Sequence, residues 1–324
     1  MKQINVLGLI SIDTLQFENY TSYLGGGAFA TAWIASLWSV QAKLYSISCE
    51  KEYDAIINNN TSWNADSFSH VSLTKNKPMT RFEISQIDGD YSYKIFNMYD
   101  SKIELEQFLS ETTIGQYIKL PAKNFWKLSD PICTASLNPQ GGFDLFEFTS
   151  KLHTDGFIFL NKKELLTSSQ LDLASTLKYI ETKHQSFVIT LGEEGAICYD
   201  AQSSKWCYSP SIQTLNYKST LGCGDAFAGG FLAAKAKGYS VSDCMFYGTI
   251  SAYLLTYSPS NMPTLWLDHN GGYEYLVWGL KDAIRYFETA NDLVNFLLTQ
   301  DAKNVTLNHS LNLSIEFDWK LHQA

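Results

Sequence analysis

Short apolar segments that alternate with segments of helical period are the feature that most constrains the fold of this chain. Helical period is seen in AFATAWIASLW from Ala28 and in the stretch from Leu171 to Lys183. The apolar segments, bounded by turn residues, are INVLGLI from Ile4, KLYSIS from Lys43, ICTASL from Ile132, FIFL from Phe157 and FVITL from Phe187. Strands that alternate with helices form mostly parallel sheets covered on both faces. We therefore predict an α/β chain.

One region breaks this alternation. The segments TRFEISQI from Thr80 and YSYKIFNM from Tyr91 flank Asp88-Gly89-Asp90, and an Asp-Gly pair between two such segments is a strong signal for a β-hairpin. We predict a small β-lid that is built from about 14–24 and 72–99 and covers a pocket.

The chain is interpreted as one domain over residues 1–324, because its length of 324 residues and its 45% hydrophobic content suffice for one large core. After Pro263 the alternation is lost. Residues of about 264–324 form a C-terminal extension, in which helices are predicted around Lys281–Tyr286 and Asn291–Leu298. The sequence assigns this extension no role.

The charge balance excludes some classes of partner. The formal net charge is −9, and the pI is near 5.2. No basic stripe is present to neutralise phosphates, so we expect neither a nucleic acid nor a membrane surface as partner. Arginine is limited to Arg81 and Arg285, which leaves few guanidinium groups to bind a phosphate.

The location is predicted from what the chain lacks. The N-terminal MKQINVLGLI has no long apolar region of the signal-peptide kind, and no segment reaches the roughly 18 apolar residues of a membrane span. The six cysteines are scattered without a CxxC pair, so buried free thiols are the expectation. These observations favour a cytoplasmic protein.

The most informative segment is STLGCGDAFAGGFLAAKAKG, which runs from Ser219 to Gly238. A glycine loop at the start of a helix presents backbone N–H groups to an anion, here those of Gly222, Cys223 and Gly224, and phosphate is its natural occupant. Asp225 opens the helix. Its carboxylate has two readings that the local pattern leaves open: a helix N-cap, or the acceptor of a proton from an attacking hydroxyl.

The segment TLGCGDAFAGGF resembles the second signature of the PfkB family of carbohydrate kinases, usually written DTxGAGDxF. The resemblance implies a ribokinase-like three-layer α/β/α sandwich, ATP and Mg²⁺ as cofactors, Asp225 as catalytic base, and Gly222, Cys223 and Gly224 as an anion hole. Ser219 stands where the signature has its first Asp, which in many relatives helps to hold a monovalent cation. The resemblance therefore does not carry a monovalent cation site over to this chain.

Two N-terminal segments extend the resemblance to a substrate site. LGGGAFATAWIASLW is similar to the family's Gly-Gly segment, with Gly26 and Gly27 in the glycine positions and Thr31 where an Asn that contacts sugar hydroxyls is usual. Asp13 follows the first strand, as does the family's Asp that binds substrate hydroxyls. Taken alone, the glycines predict only a turn, and Asp13 predicts a turn or cap.

Two further matches extend the resemblance to a nucleotide site. Asn161 and Glu164 have the spacing of the family's NxxE motif, which implies a place near the phosphates and the metal, with Glu164 as the metal residue. Oxygen ligands of this kind suit Mg²⁺, whereas the pattern alone also fits a solvated helix start. VITLGEEGAICYD resembles the strand-turn-strand that lines the nucleotide and implies roles for Thr190, Gly192 and Gly195.

Two positions receive no assignment. SLNPQGGF from Ser136 stands where relatives have an Asp-x-Asn-x-Arg-like strand end, but the Arg is missing. Arg81 opens a predicted lid strand and has two open readings, a contact with ligand or an exposed charge.

Two hypotheses follow from these matches. The first is an ATP-dependent kinase that phosphorylates a hydroxyl of a sugar, polyol or nucleoside; Walker and GxGxxG loops are both absent. The second is a catalytically weak binding or regulatory protein on the same scaffold, suggested by Ser219, Thr31 and the C-terminal extension. Lid sheets in this family often pair between subunits, so a homodimer through the lid is a further implication.

Overall fold

The computed structural model describes residues 3–16, 21–49, 71–74, 78–87, 90–97, 116–121, 135–138, 156–212, 219–256, 280–281 and 283–299. The strands are β1 (Gln3–Gly8), β2 (Ser11–Leu15), β3 (Thr21–Gly25), β4 (Gln41–Cys49), β5 (Val71–Thr74), β6 (Thr80–Ile87), β7 (Asp90–Phe96), β8 (Gln116–Pro121), β9 (Ala135–Asn138), β10 (Phe157–Asn161), β11 (Ser186–Thr190), β12 (Ala196–Asp200), β13 (Lys205–Ser209) and β14 (Arg285–Phe287). The helices are α1 (Gly27–Leu37), α2 (Lys162–Ser169), α3 (Leu173–Glu181), α4 (Cys223–Ala236), α5 (Val241–Leu255) and α6 (Ala290–Leu298), with a 3₁₀ turn at Gly192–Glu194.

Ten of these strands form one large sheet in the order β14-β13-β12-β11-β10-β9-β8-β1-β4-β5. Every neighbouring pair from β5 to β11 is parallel, and β12, β13 and β14 add to the edge in antiparallel fashion. The prediction of a mostly parallel sheet is confirmed. Because parallel strands end at the same edge, residues that follow them are brought together there.

Helices cover both faces of the large sheet, and β10 shows how the sequence directs this. Phe157 and Phe159 point into a buried cluster with residues of α1, α4 and α5. Ile158 and Leu160, which alternate with them, point into a second cluster with residues of α2, α3 and α6. A strand buried on both faces reads as a continuous apolar run, so the three-layer α/β/α prediction is confirmed.

Four strands form a separate small sheet in the order β3-β2-β6-β7, which we call the lid sheet. β6 and β7 pair as an antiparallel hairpin with Ile87 opposite Asp90; the predicted turn residues Asp88 and Gly89 lie outside the described residues. The lid sheet begins at Ser11, earlier than predicted. β5, by contrast, lies within the predicted lid segment 72–99 but pairs with β4 and extends the large sheet.

The C-terminal region contributes to the large sheet. A helix was predicted around Lys281–Tyr286, but Arg285–Phe287 forms β14, whose Tyr286 lies opposite Cys207 of β13. That helix prediction is wrong at its end, because the edge strand β13 offers unpaired backbone groups that a third antiparallel strand satisfies. The helix predicted at Asn291–Leu298 is confirmed as α6. Residues 264–279 lie outside the described part of the chain.

Four of the cysteines are described with their side chains, and these four are free. Cys198, Cys207 and Cys244 are buried, as expected, and Cys223 is partly exposed; Cys133 lies outside the described residues. Within the described ranges, no helix combines the length and apolar character needed to cross a membrane.

Helices α4 and α5 pack so closely that one position must be glycine. A side chain at Gly230 would collide with the hydroxyl of Ser251 and the carbonyl oxygen of Tyr247, both on α5. We expect Gly230→Ala to lower the free energy of unfolding by about 1–3 kcal/mol, the usual range for an overpacked core. Urea denaturation would measure it.

The matched control is Gly224→Ala on the same helix, where an added Cβ meets no atom within 4 Å. Its free energy of unfolding should stay within about 0.5 kcal/mol of wild type. Equal stability of the two variants would show that the α4–α5 contact relaxes freely.

Candidate active site

The predicted site residues gather at the carboxyl edge of the large sheet. Asn161 and Thr190 end the neighbouring strands β10 and β11 and lie side by side. Lys119 of β8 lies beside Gly8, the last residue of β1. The N-terminus of α4 reaches the same edge, because the Asp225 carboxylate lies 2.5 Å from Lys119 Nζ.

Asp225 is the third residue of α4 and does not cap it. The N-cap is Gly222, whose φ of 78° is in the left-handed region that glycine adopts without strain. The Asp225 side chain instead binds Lys119 through Oδ1. Of the two readings of this carboxylate, the N-cap is therefore wrong, and the acid group is available for another role.

The glycine loop keeps most of the predicted backbone donors. Cys223 is the exception, because its N–H donates to the carbonyl oxygen of Thr220 at 3.2 Å in a turn; the prediction of a free amide is wrong there. In the described part of the chain, no hydrogen-bond acceptor is bound to the N–H groups of Gly222, Gly224 and Asp225. Unpaired N–H groups at a helix N-terminus suit an anion.

The Cys223 side chain takes no part in this donor set. Its thiol donates to the carbonyl oxygen of Ala252 on α5 at 3.5 Å. Burial, with a smaller contribution from the charge of Asp225, raises the pKa of Cys223 to about 12. The thiol therefore stays neutral beside the loop.

Lys119 is a site residue that the sequence analysis missed. Burial disfavours its charged form, but the Asp225 carboxylate, together with Tyr117 and Glu164, outweighs that effect and holds the pKa of Lys119 above its ordinary value. Its side chain is 28% exposed, and that of Asp225 is 18% exposed. A lysine inside the strand QYIKLP was the available signal, because a central strand rarely carries a charge without a partner.

The N-terminal glycines are required by close contacts. Gly26 has a φ of 100°, and a Cβ there would collide with the Leu9 carbonyl oxygen. A Cβ on Gly27 would lie 2.7 Å from Lys119 Cε and 2.8 Å from Asp225 Oδ1. Gly27 thus lies directly against the Lys119–Asp225 pair and has no room for a side chain.

Thr31 does not occupy the predicted substrate position. It is fully buried, and its hydroxyl donates to the backbone carbonyl oxygen of Asp225 at 3.2 Å. Helices α1 and α4 pack closely here, since a Cβ on Gly229 would lie 2.7 Å from the Thr31 carbonyl oxygen. The Thr31 hydroxyl therefore anchors the start of α4, and the prediction of a ligand contact is corrected.

Asp13 lies within β2 of the lid sheet. The residue is buried, and its Oδ1 accepts a hydrogen bond of 2.6 Å from the Ser11 hydroxyl. Gly25, opposite Ser11 on β3, has no room for a side chain because the Asp13 carboxylate fills that space. The carboxylate is therefore held by its surroundings rather than used in a turn.

Asn161 and Glu164 form a capping box at the start of α2. Asn161 Oδ1 accepts from the Glu164 N–H at 2.7 Å, and Glu164 Oε2 accepts from the Asn161 N–H at 2.8 Å. Burial raises the pKa of Glu164, while the nearby Lys119 opposes that change. The interpretation of this motif as a helix start is therefore correct. The Glu164 carboxylate also interacts electrostatically with Lys119 and Asp225.

The strand-turn-strand prediction is confirmed by β11, the 3₁₀ turn and β12. Gly195 has a φ of 96° and would collide with the Ser209 carbonyl oxygen if it carried a side chain. Gly192 has a φ of 68°, and a Cβ built there would meet no atom within 4 Å. The backbone shortly after Thr190 is therefore uncovered.

Two tyrosines of β7 connect the lid sheet with this site. The Tyr91 hydroxyl lies 3.1 Å from the Ser219 hydroxyl and accepts from the Thr220 N–H at 3.1 Å. Partial burial of this half-exposed side chain, followed by the charge of Asp225, raises the pKa of Tyr93 to about 12. The lid sheet therefore contacts the glycine loop. Arg81 on β6 is half-buried and receives no functional assignment.

We expect Tyr91→Phe to loosen this contact. Buried Ser219 and exposed Thr220 each lose a hydrogen bond, and one such bond stabilises by about 1 kcal/mol, roughly fivefold in an opening equilibrium. Hydrogen exchange of residues 90–97 should accelerate by at least that factor, whereas exchange in β12 and β13 should not change. Unchanged exchange at 90–97 would mean that Tyr91 does not hold the lid sheet.

Comparisons with known proteins agree with this architecture. Residues 156–265 match the family described as pfkB family carbohydrate kinase. A nucleoside kinase of Methanocaldococcus jannaschii is 28% identical over 132 residues, which are 38% of this chain and 42% of that protein. Fructoselysine 6-kinase of Shigella flexneri is 23% identical over 261 residues, which are 78% of this chain and 96% of that protein.

Solved structures share the fold. A probable sugar kinase from Rhizobium etli has a TM-score of 0.66 at 17% identity and covers 85% of this chain and 98% of its own. Ribokinase from Thermotoga maritima has a TM-score of 0.63 at 16% identity and covers 82% of this chain and 96% of its own. The sequence match over residues 156–265 and the shared architecture together confirm the resemblance: this chain has the ribokinase-like fold, and this segment is similar to pfkB family carbohydrate kinases.

Proposed function

We propose that this chain transfers the γ-phosphoryl group of ATP to a hydroxyl of a sugar, polyol or nucleoside. The observation that carries this proposal is the Asp225 carboxylate at the N-terminus of α4, next to backbone N–H groups without an acceptor in the described ranges and against the side-chain-free surface of Gly27. Phosphoryl transfer needs positioning, a proton acceptor and donors for the transferring charge.

Asp225 is the general base in this proposal. The acceptor hydroxyl loses its proton to the Asp225 carboxylate, and its oxygen forms a bond to the γ-phosphorus. The bond between that phosphorus and the bridging oxygen of ADP breaks, and its electron pair leaves with ADP. Gly26 and Gly27 let the acceptor approach the backbone, and the buried Asp13 carboxylate is held ready to accept bonds from further hydroxyls.

In this proposal, backbone groups bind the phosphates of ATP. The N–H groups of Gly222, Gly224 and Asp225 supply donors where negative charge develops, and the α4 dipole adds to their effect. Gly224 suits a close approach, because no atom lies within 4 Å of its Cβ position. The open backbone at Gly192, next to Thr190, is the proposed nucleotide contact.

Magnesium fits the donor set as an ion held mainly by phosphates and water. Glu164 offers one carboxylate with an oxygen outside its capping box, and the described residues contain no cluster of three metal-ligating side chains. Mg²⁺ is commonly bound by one or two carboxylates together with substrate phosphates. When bound, the ion would neutralise phosphate charge, and Glu164 is the residue proposed to hold it.

The lid sheet is proposed to exclude water. Tyr91 reaches the glycine loop, and Tyr93 lies in the field of Asp225 and Asp13. Exclusion of water favours transfer to the acceptor over hydrolysis of ATP.

The acceptor class is proposed from the relatives. The two curated relatives are named for a nucleoside and for fructoselysine, so a neutral hydroxyl on a sugar ring or chain is the feature in common. A screen with ATP, Mg²⁺ and pooled nucleosides, sugars, glycated amino acids and polyols would test the proposal. We expect one acceptor class to gain the mass of a phosphoryl group, with one ADP formed for each product.

The binding-protein hypothesis makes a different prediction for the same screen. A ligand that binds in calorimetry but is never phosphorylated, by a sample that also binds ATP, would overturn the kinase proposal. ADP formation that does not depend on the added ligand would overturn it too.

A further inference from the structure

Lys119 stands out because nothing in the proposed function yet uses it. It is a cation on a central strand of the sheet, and its Nζ lies 2.5 Å from the carboxylate proposed as the base. Glu164, on the phosphate side, lies in the field of both Lys119 and Asp225. Lys119 therefore interacts both with the carboxylate proposed as the base and with the carboxylate proposed to hold the metal.

The ammonium has donors to spare. A lysine has three N–H donors, and among the described residues Asp225 is the one hydrogen-bond partner of Lys119. Because its pKa is held above the ordinary value, the side chain stays charged throughout the neutral range. Two strong donors thus remain for a ligand in a half-buried site.

The side chain is also held in place. Lys119 Cε packs against Gly27, where an added Cβ would lie 2.7 Å away, and its backbone pairs with Gly8 and Ser136. The N–H groups of Gly224 and Asp225 lie at the start of the helix that carries the bound carboxylate. An anion bound there would lie at the same end of α4 as the ammonium.

We propose that Lys119 is a catalytic residue that donates a hydrogen bond to the transferring phosphoryl group while its bond to Asp225 Oδ1 leaves Oδ2 to accept the acceptor's proton. This inference rests on the proposed function and names the cation of that site. In the transfer step the proton moves from the acceptor hydroxyl to Oδ2, and Lys119 keeps its own protons. Its positive charge stabilises the phosphoryl oxygens as the bond to ADP breaks.

The sharpest test compares binding of ATP and ADP, because only ATP carries the phosphoryl group that Lys119 would contact. We expect Lys119→Met to weaken calorimetric binding of Mg²⁺-ATP by about 10-fold or more, the usual size of a lost hydrogen bond to a charged group, and to leave ADP within about twofold. Lys119→Arg, which keeps the charge, should retain most of the preference for ATP.

Turnover supplies the second readout. We expect kcat of Lys119→Met to fall by about 100-fold, and methylammonium added to Lys119→Ala to restore part of the loss, which a merely structural role would not allow. The matched control is Lys205→Met, since Lys205 is a half-exposed lysine paired with Glu288 at the opposite edge of the sheet. It should behave as wild type.

The outcomes separate this inference from the proposed function. An active wild type together with a Lys119→Met variant that keeps its kcat and its ATP preference would overturn the inference alone. Equal weakening of ATP and ADP would overturn the phosphoryl contact. If no acceptor is phosphorylated but Lys119→Met loses its preference for ATP, the proposed kinase activity fails while the contact stands.

Discussion

Replacing Asp225 with Asn is expected to reduce phosphoryl transfer by about 100-fold to 10,000-fold, the range of general-base contributions. The amide has nearly the shape of the carboxylate but cannot take the acceptor's proton, and it leaves the buried Lys119 ammonium without its charged partner. The loss should fall on kcat, because the backbone donors for the phosphates remain. Steady-state kinetics with the acceptor found in the screen would measure it.

The matched control is Asp172→Asn. Asp172 is the exposed N-cap of α3 and accepts from the Ser175 N–H at 2.9 Å, and Asn caps helices about as well as Asp. This variant should keep wild-type turnover and stability. Near-wild-type kcat in a folded Asp225→Asn sample would remove Asp225 from the role of base.

The second large effect is expected from Gly27→Ala, which adds a single methyl group. In Gly27→Ala, the new Cβ would lie 2.7 Å from Lys119 Cε and 2.8 Å from Asp225 Oδ1. Both atoms belong to side-chain ends, so they can move aside and the fold should survive. The Lys119–Asp225 pair would then be displaced, and a misplacement of about 1 Å can lower kcat/KM by about 100-fold.

Two measurements separate this effect from misfolding. The thermal unfolding midpoint and the affinity for ATP should stay close to wild type, while kcat/KM for the acceptor falls. A variant with wild-type kcat/KM would mean that the position of the Lys119–Asp225 pair does not control the reaction of the acceptor. A variant that loses ATP affinity equally would mean that the methyl group disturbs the whole site.

The large sheet was predictable because a strand that is buried on both faces has a continuous apolar sequence. The apolar runs at β1, β4, β10 and β11 are short, and polar or turn residues bound them, so their number and parallel direction follow from the alternation with helices. β5 could not be assigned in this way. Only four residues long, it depends on the free edge of β4, which is a partner remote in sequence.

The site was predictable where its functional residues are close together in the sequence. The glycine loop and Asp225 are adjacent in sequence, so their meeting needs no knowledge of the fold. Lys119 was missed because its partner is 106 residues away and a single lysine in a strand forms no motif. Thr31 was misassigned for a related reason, since helix α4 covers its hydroxyl and no pattern within α1 reports that contact.

Two of the places where the chain passes between the lid sheet and the large sheet lie against each other. The chain enters the lid sheet through Leu9 and Ile10 and leaves it through Gly26, whose α-carbon lies against the Leu9 carbonyl. The Ile10 N–H donates to the Ser46 hydroxyl on β4 at 3.0 Å, which fixes this point to the large sheet. Gly26 thus joins the end of β3 to Gly27, the residue that lies against Lys119 and Asp225. The same short segment therefore fixes one end of the lid sheet and shapes the surface beside the charged pair.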